Sequence, residues 1–263
     1  MKPTFTRYLE EIKLSRGDKT YTKYAQILRK FENKPINMGT VKEIMNLNMS
    51  INSKKFYLSV WIRALKFYKK DCEEVERFTK TIHTQEKLAE APTQEAVEKI
   101  INSTTDKKVK LLVSLMSYAG LRISEAQNML IKDISLEENK FIIRNTKNHT
   151  DRLCIINSKL KPLLIEWLNS KDRNAGDYVF NSPRGGKYTT NYLKDIVKNH
   201  CIKAGYPALH CHSFRHYFAT NFYQKSHSNI ALTARACGHK SISTTMRYIA
   251  TSASDLANII NKF

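Results

Sequence analysis

The chain has 263 residues, with 44 Lys and Arg against 24 Asp and Glu, a net charge of +20 and a pI near 9.7. That length suffices for a sizeable core and for two domains, and the positive excess selects a polyanionic partner, most economically nucleic acid. The five cysteines, an odd number with no CxxC pair, suit a reducing compartment rather than a disulfide framework.

The N-terminus, MKPTFTRYLEEIK, has no apolar leader core, so no secretory signal is expected. The charge is no tail: residues 1–91 hold 19 basic and 11 acidic side chains, net +8, and residues 92–263 hold 25 and 13, net +12. Both parts are expected to face the same partner. Tyr24, Ile27, Leu28 and Phe31 recur at i, i+3, i+4 and i+7, one stripe of an amphipathic helix that Asn33 and Pro35 end. Val41 to Leu47 reads as a shorter helix. Ser53 is placed to cap a longer one, Lys54 to about Lys70. Its apolar set is Tyr57, Val60, Trp61, Ala64, Leu65 and Tyr68, and its basic set is Lys54, Lys55, Arg63, Lys66, Lys69 and Lys70. That basic face is either solvated or laid on phosphates, and the charge of the whole chain favours phosphates.

From Glu73 the sequence is mixed and polar, and about Lys80 to Ala91 reads as a linker. Pro92-Thr93 opens a new helix with Glu95 in its first turn. The domain boundary falls near residue 90. Lys108 to Tyr118 is a buried helix within the longest apolar run, Leu111 to Leu121, which Ser114, Ser117 and Tyr118 interrupt and which is too short to span a bilayer. A soluble intracellular protein is expected. Gly120 breaks the helix, and Ser124 or a neighbour starts the next. Arg122 therefore sits at a helix junction with Glu125 three residues on; by itself such a pair is worth little.

Lys140 to Thr146 and Arg152 to Ile156 are rich in β-formers and flank the turn chemistry of Lys147-Asn148-His149-Thr150-Asp151, which predicts a hairpin with Lys147 at its tip. Lys159 to Leu168 is a helix, Val179-Phe180 a candidate short strand, and Thr190 or Asn191 the cap of a helix to about Cys201. Ser182 to Gly186 is a loop, and its Gly-Gly pair is no nucleotide loop because G-K-[ST] is absent.

The stretch from His210 to Tyr248 carries the densest chemistry. His212 and Arg215 are three apart and share a helix face, and Phe214, Phe218 and Phe222 form a stripe expected to pack inward. Gly238 stops the run Ile230 to Cys237 as a C′ glycine would, and His239 follows directly. Ser243 is placed to cap a third short helix, with Tyr248 one turn into it. His210, Cys211, His212 and His216, with Cys201 nearby, evoke zinc. Yet the glutamate of H-E-x-x-H is missing, and Arg215 would set a positive charge beside the metal. His216 reads better as a satisfied core residue or as one that supports the site from behind. A hydrolase triad would want G-x-S-x-G, which is absent. The tail places Leu256, Ile259 and Ile260 at helical spacing, to dock in cis or in trans.

The pattern His212-Ser213-Phe214-Arg215, Gly238-His239 and Tyr248, with Ala119-Gly120-Leu121-Arg122-Ile123-Ser124-Glu125 upstream, resembles the signature boxes of the tyrosine recombinases, the phage-integrase and Xer family, in their compact two-domain form. The resemblance implies a mainly α fold with a small β-hairpin or sheet. A helical core-type DNA-binding domain at 1–90 precedes a mixed α+β catalytic domain at 91–263 with a C-terminal tail helix. It implies Tyr248 as nucleophile, Arg122 and Arg215 as phosphate clamps, and Glu125 orienting Arg122. Lys147 is implied as general acid, with Arg144 and Arg152 as rivals on the same hairpin; His212 as proton acceptor; and His239 as a hydrogen-bond donor to the phosphate. No metal, nucleotide or other cofactor is called for. The implied partner is double-stranded DNA, joined by four protomers through a Holliday junction, with a monomer or weak dimer when free. The implied location is the cytoplasm and nucleoid of a prokaryote or an infected host cell. The tail is implied to dock on a neighbouring protomer. The alternatives are a type IB topoisomerase-like enzyme and a DNA-binding regulator without catalysis.

Overall fold

The computed structural model describes residues 5–84, 91–144, 151–170, 174–183, 185–239 and 241–246. The chain divides into two compact units, residues 1–87 and 88–263.

The first unit is helical. Its elements are α1 (Thr6–Arg16), α2 (Asp18–Leu28) with a 3₁₀ turn at Arg29–Phe31, α3 (Met38–Met45), α4 (Ile51–Phe67) and α5 (Glu73–Thr81). The stripe Tyr24, Ile27, Leu28 and Phe31 is buried as its spacing predicts. Phe31 stacks on Trp61 of α4, with ring centroids 4.5 Å apart, and this pair centres the core. Helix α4 starts earlier than expected, because Ser50 and not Ser53 is the cap: the Ser50 Oγ accepts from the Ser53 backbone N–H at 3.2 Å. Four basic side chains of α4 are engaged within the unit. The Nζ of Lys54 donates to the Met45 carbonyl at 2.6 Å and that of Lys55 to the Ile82 carbonyl at 2.7 Å. Arg63 donates to the Tyr24 hydroxyl at 2.9 Å, and Lys66 pairs with Glu76 at 2.5 Å. The polar stretch after Glu73 begins as a helix. Glu73, Glu74 and Glu76 lie in its first turn, where the helix dipole favours them, and Val75 and Thr79 face the core.

The second unit surrounds α7. It runs α6 (Gln94–Asn102), α7 (Lys107–Tyr118), α8 (Ile123–Asn128), β1 (Ile134–Ser135), β2 (Lys140–Ile143), β3 (Arg152–Ile155), α9 (Lys161–Leu168), α10 (Thr190–Lys203), α11 (Cys211–Lys225), α12 (Ile230–Cys237) and α13 (Ile242–Met246). Thr93 and Asp106 cap α6 and α7. Leu111, Leu112, Val113, Leu115 and Met116 of α7 are all buried, as expected of a helix apolar on every side, and α11 packs along it. The sheet is antiparallel in the order β1-β2-β3, with Phe141 opposite Cys154 and Ile143 opposite Arg152. Phe141, Ile143 and Cys154 face the core, whereas Leu153 and Ile155 of β3 point outward. The expected mainly α fold with a small sheet is what the chain adopts.

Several local expectations are corrected. Val179 and Phe180 are buried but belong to no regular strand; their neighbours form isolated bridges, Leu130 with Tyr178 and Asn181 with Lys187. Thr189 caps α10. Among the described residues of α13, the Ser243 N–H is itself capped by the Ser241 Oγ at 3.3 Å. Of the phenylalanine stripe on α11, only Phe214 is fully buried. Phe218 and Phe222 line a cavity of about 480 Å³ with Tyr118, Leu153, Tyr217 and Leu232. Among the described residues, no helix is long and apolar enough to cross a membrane.

Candidate functional site

The site starts at the turn between α7 and α8. Gly120 is left-handed at φ +64°, and a Cβ there would lie 2.3 Å from Cδ1 of Phe218. Only glycine lets the turn approach α11 so closely. Arg122 is the N-cap of α8, in extended conformation. Its backbone N–H donates to Glu125 Oε2 at 2.8 Å, the reach-back of a glutamate at the third helical position. Its guanidinium donates through Nη1 to Glu125 Oε1 at 2.7 Å and through Nη2 to the Gly238 carbonyl at 3.0 Å.

Arg215 comes from the second turn of α11 and is 2% exposed. Its Nη1 donates to the Gly120 carbonyl and its Nη2 to the Cys237 carbonyl at 2.5 Å. Gly238 ends α12 at φ +63°, as its position after Cys237 predicts. The last carbonyls of a helix lack partners within it and form its negative end. Here three in succession each accept from an arginine: Ala236 from Arg152 at 2.9 Å, Cys237 from Arg215 and Gly238 from Arg122. Glu125 sits among these arginines, with Arg152 Nη2 at 2.9 Å and Arg215 Nη1 at 3.8 Å from its Oε2.

The charges are unbalanced, and the titrations reflect it. Burial alone would raise the Glu125 carboxyl, but Arg152, the Arg122 backbone N–H and Arg215 outweigh it and hold it below the usual carboxylate range. Burial, then Arg122, pulls Arg215 down to about 10. His239 is pulled down to about 4 by burial and by Arg215, Arg122 and Arg152. Its Nδ1 lies 2.8 Å from the Thr245 hydroxyl. His212, exposed in the first turn of α11, is lowered by lost solvation, then by His210 and Arg215. Both imidazoles are therefore neutral at pH 7.

The structure brings together Arg122, Glu125, Arg215 and the Gly238-His239 turn, with His212 one helical turn from Arg215. Lys147, Tyr248 and the tail residues Leu256, Ile259 and Ile260 lie outside the described residues. The two hairpin rivals of Lys147 are both engaged by protein groups. Arg144 pairs with Asp133, its Nε 2.8 Å and its Nη2 2.7 Å from Oδ1. Arg152 is buried in the site. Its role there was missed from sequence, although the strand period signals it: Arg152 lies two residues before Cys154, on the core side of β3, where a charge needs a partner. His216 is buried in the core. Among the described residues, no group of three or more His, Cys, Asp and Glu is placed to hold a metal ion.

The chain is 35% identical over 162 residues to the tyrosine recombinase XerA of Saccharolobus solfataricus, across 62% of this chain and 52% of that protein, so the match spans about half of that relative's length. It is 28% identical over 265 residues to the tyrosine recombinase XerA of Pyrococcus horikoshii, covering 98% of this chain and 91% of that one. The fold superposes on the XerH site-specific recombinase bound to a palindromic difH substrate with a TM-score of 0.75 at 22% identity, over 97% of this chain and 83% of that one. The model of the phage integrase family matches residues 86–255, more than half of the chain, and the protein belongs to that family.

Proposed function

We propose that this protein is a site-specific recombinase that cuts and rejoins duplex DNA through a 3′-phosphotyrosine. The observation that carries the reading is the unbalanced charge of the site: three guanidiniums, anchored on successive carbonyls, surround one carboxylate. Such a cluster suits one phosphate of a DNA strand, whose negative charge grows in the transition state. Family membership weighs against the relaxing-enzyme and regulator readings.

The steps follow from the chemistry each residue type supplies. The Tyr248 oxygen attacks the phosphorus, and its proton passes to neutral His212. The P–O bond to the 5′ oxygen breaks, and Lys147 protonates the leaving oxygen. Arg122 and Arg215 hold the non-bridging oxygens; a guanidinium fork matches two of them. His239, its Nδ1 beside the Thr245 hydroxyl, donates a hydrogen bond to the phosphate through Nε2. A 5′-hydroxyl from another strand then attacks the phosphotyrosine and displaces Tyr248. The bond energy is kept in the covalent link, so joining needs no nucleotide or other cofactor. Residues 1–87 and 88–263 serve as the core-binding and catalytic domains on double-stranded DNA. Four protomers, monomers or weak dimers when free, pair two duplexes through a Holliday junction in the cytoplasm.

A plasmid carrying two copies of the target site separates the readings. Recombinant circles and junction intermediates are expected, and supercoil relaxation without recombinants would overturn the proposal in favour of same-strand resealing.

A further inference from the structure

Arg152 has contacts that a surface phosphate ligand would not have. Its side chain is 15% exposed. It bridges three elements: Nη2 to Glu125 Oε2 of α8 at 2.9 Å, Nη1 to the Ala236 carbonyl of α12 at 2.9 Å, and Nη1 to Cys154 Sγ on its own strand at 2.9 Å. Gly238 admits it: a Cβ there would lie 2.7 Å from Arg152 Cδ and 2.9 Å from its Nε. Arg122 and Glu125 alone would cancel, leaving Arg215 as the single net charge. With Arg152 present, the cluster of three arginines and one glutamate carries two net positive charges.

We propose that Arg152 is a positioning residue of this site: it offsets the charge of Glu125 and pins the C-terminus of α12, so that Arg122 and Arg215 both present their charge to the phosphate. The inference rests on the recombinase reading above. Burial opposes the charge on Arg152, but Cys154 and Glu125 outweigh it and keep its pKa above the ordinary guanidinium value, so it is a fixed cation. The groups facing Glu125 are Arg122 from its own helix, Arg152 and Cys154 from β3, Arg215 from α11, and Cys237 and His239 from the end of α12.

The test compares the full chain with Arg152→Met, Arg152→Lys and Arg152→Met/Glu125→Gln on a nicked duplex that traps the covalent complex, with protein saturating and Tyr248→Phe as the blank. Arg152→Met is expected to bind the duplex like the parent but to form the complex roughly 10- to 100-fold more slowly, the loss typical of an outer-shell partner. Arg152→Lys, which keeps the charge but reaches one anchor, falls between. Removing the Glu125 charge as well recovers part of the Met variant's loss. A parental rate for Arg152→Met, a loss of DNA binding in proportion to cleavage, or no recovery in the double variant overturns the proposal. A second readout needs no cleavage: the Glu125 carboxyl, followed by ¹³C NMR and assigned with Glu125→Gln, titrates higher once Arg152 is neutralised. Should the parent form no complex, the recombinase reading fails and this titration alone decides. An upward shift supports the placement of Arg152, and an unchanged titration overturns it. If Arg152→Met does not fold, Arg152→Lys carries both readouts, with a slower rate and a smaller upward shift expected and parental values overturning the proposal.

Discussion

Replacing Glu125 with glutamine tests how the site is held together. The carboxylate accepts three hydrogen bonds: Oε2 from the Arg122 backbone N–H at 2.8 Å and from Arg152 at 2.9 Å, and Oε1 from Arg122 Nη1 at 2.7 Å. A glutamine has one acceptor oxygen and one donor group. With its oxygen in the Oε2 position, its NH₂ meets the Arg122 guanidinium. Flipped, it meets both the backbone N–H and Arg152. Either way a donor faces a donor, and three buried or half-buried cations lose their counter-charge. Removing one partner of a buried pair costs about 3–5 kcal/mol, and Glu125 is only 13% exposed. At roughly 2–4 °C per kcal/mol for a domain of this size, the variant melts about 6–20 °C below the parent at pH 7. The pH dependence has a fixed sign. The carboxyl is held low in the folded state, so its stabilisation is complete above the unfolded carboxylate value of ~4.3. It is lost as pH falls through the lower folded value. Thermal melts followed by circular dichroism should show a constant gap between parent and Glu125→Gln from pH 7 to about pH 5 that narrows below it. A gap under about 1 °C at pH 7, or one that does not narrow in acid, refutes the reasoning.

Gly238→Ala forces a left-handed alanine, at about 1–2 kcal/mol, and drives its methyl into Arg152; a lower Tm in thermal melts and slower covalent complex formation are both expected. Arg215→Lys replaces a two-anchor fork with a single point and is expected to lower the single-turnover cleavage rate by ~10²–10³ while DNA binding, read by gel shift, changes little. With a net charge of +20, affinity for duplex DNA in fluorescence titrations should fall ~10³–10⁵-fold between 50 and 200 mM salt if the protein neutralises about 6–10 phosphates.

Much of this was legible where residue type and spacing agree with one backbone geometry. The period of Tyr24 to Phe31 can only be a helix face, and a glycine after Cys237 can only be a helix stop. The caps were less legible. Ser50 and Ser53 are both good N-caps within one turn, and only the folded ψ angle selects Ser50; Thr189 stands to Thr190 in the same way. Helix α5 is obscured in the sequence because its single apolar stripe is short and its acidic first turn reads only as mixed polar sequence. Phe218 and Phe222 follow the core period, yet the element above them leaves a cavity, which local spacing does not encode. From the sequence Arg152 reads as a hairpin cation. Its inward position follows from strand alternation, but its partner Glu125 is 27 residues away and becomes a neighbour only when β3 reaches the end of α12.

The covalent step itself tests the account most directly. The protein and its Tyr248→Phe variant are incubated with a nicked suicide duplex carrying the target site, and the products are run on a denaturing gel. The account predicts a shifted band with the parent that survives SDS and disappears on protease treatment, and no such band with Tyr248→Phe. An equal band from the variant, or no band from the parent on a duplex it binds tightly and site-specifically, would contradict it.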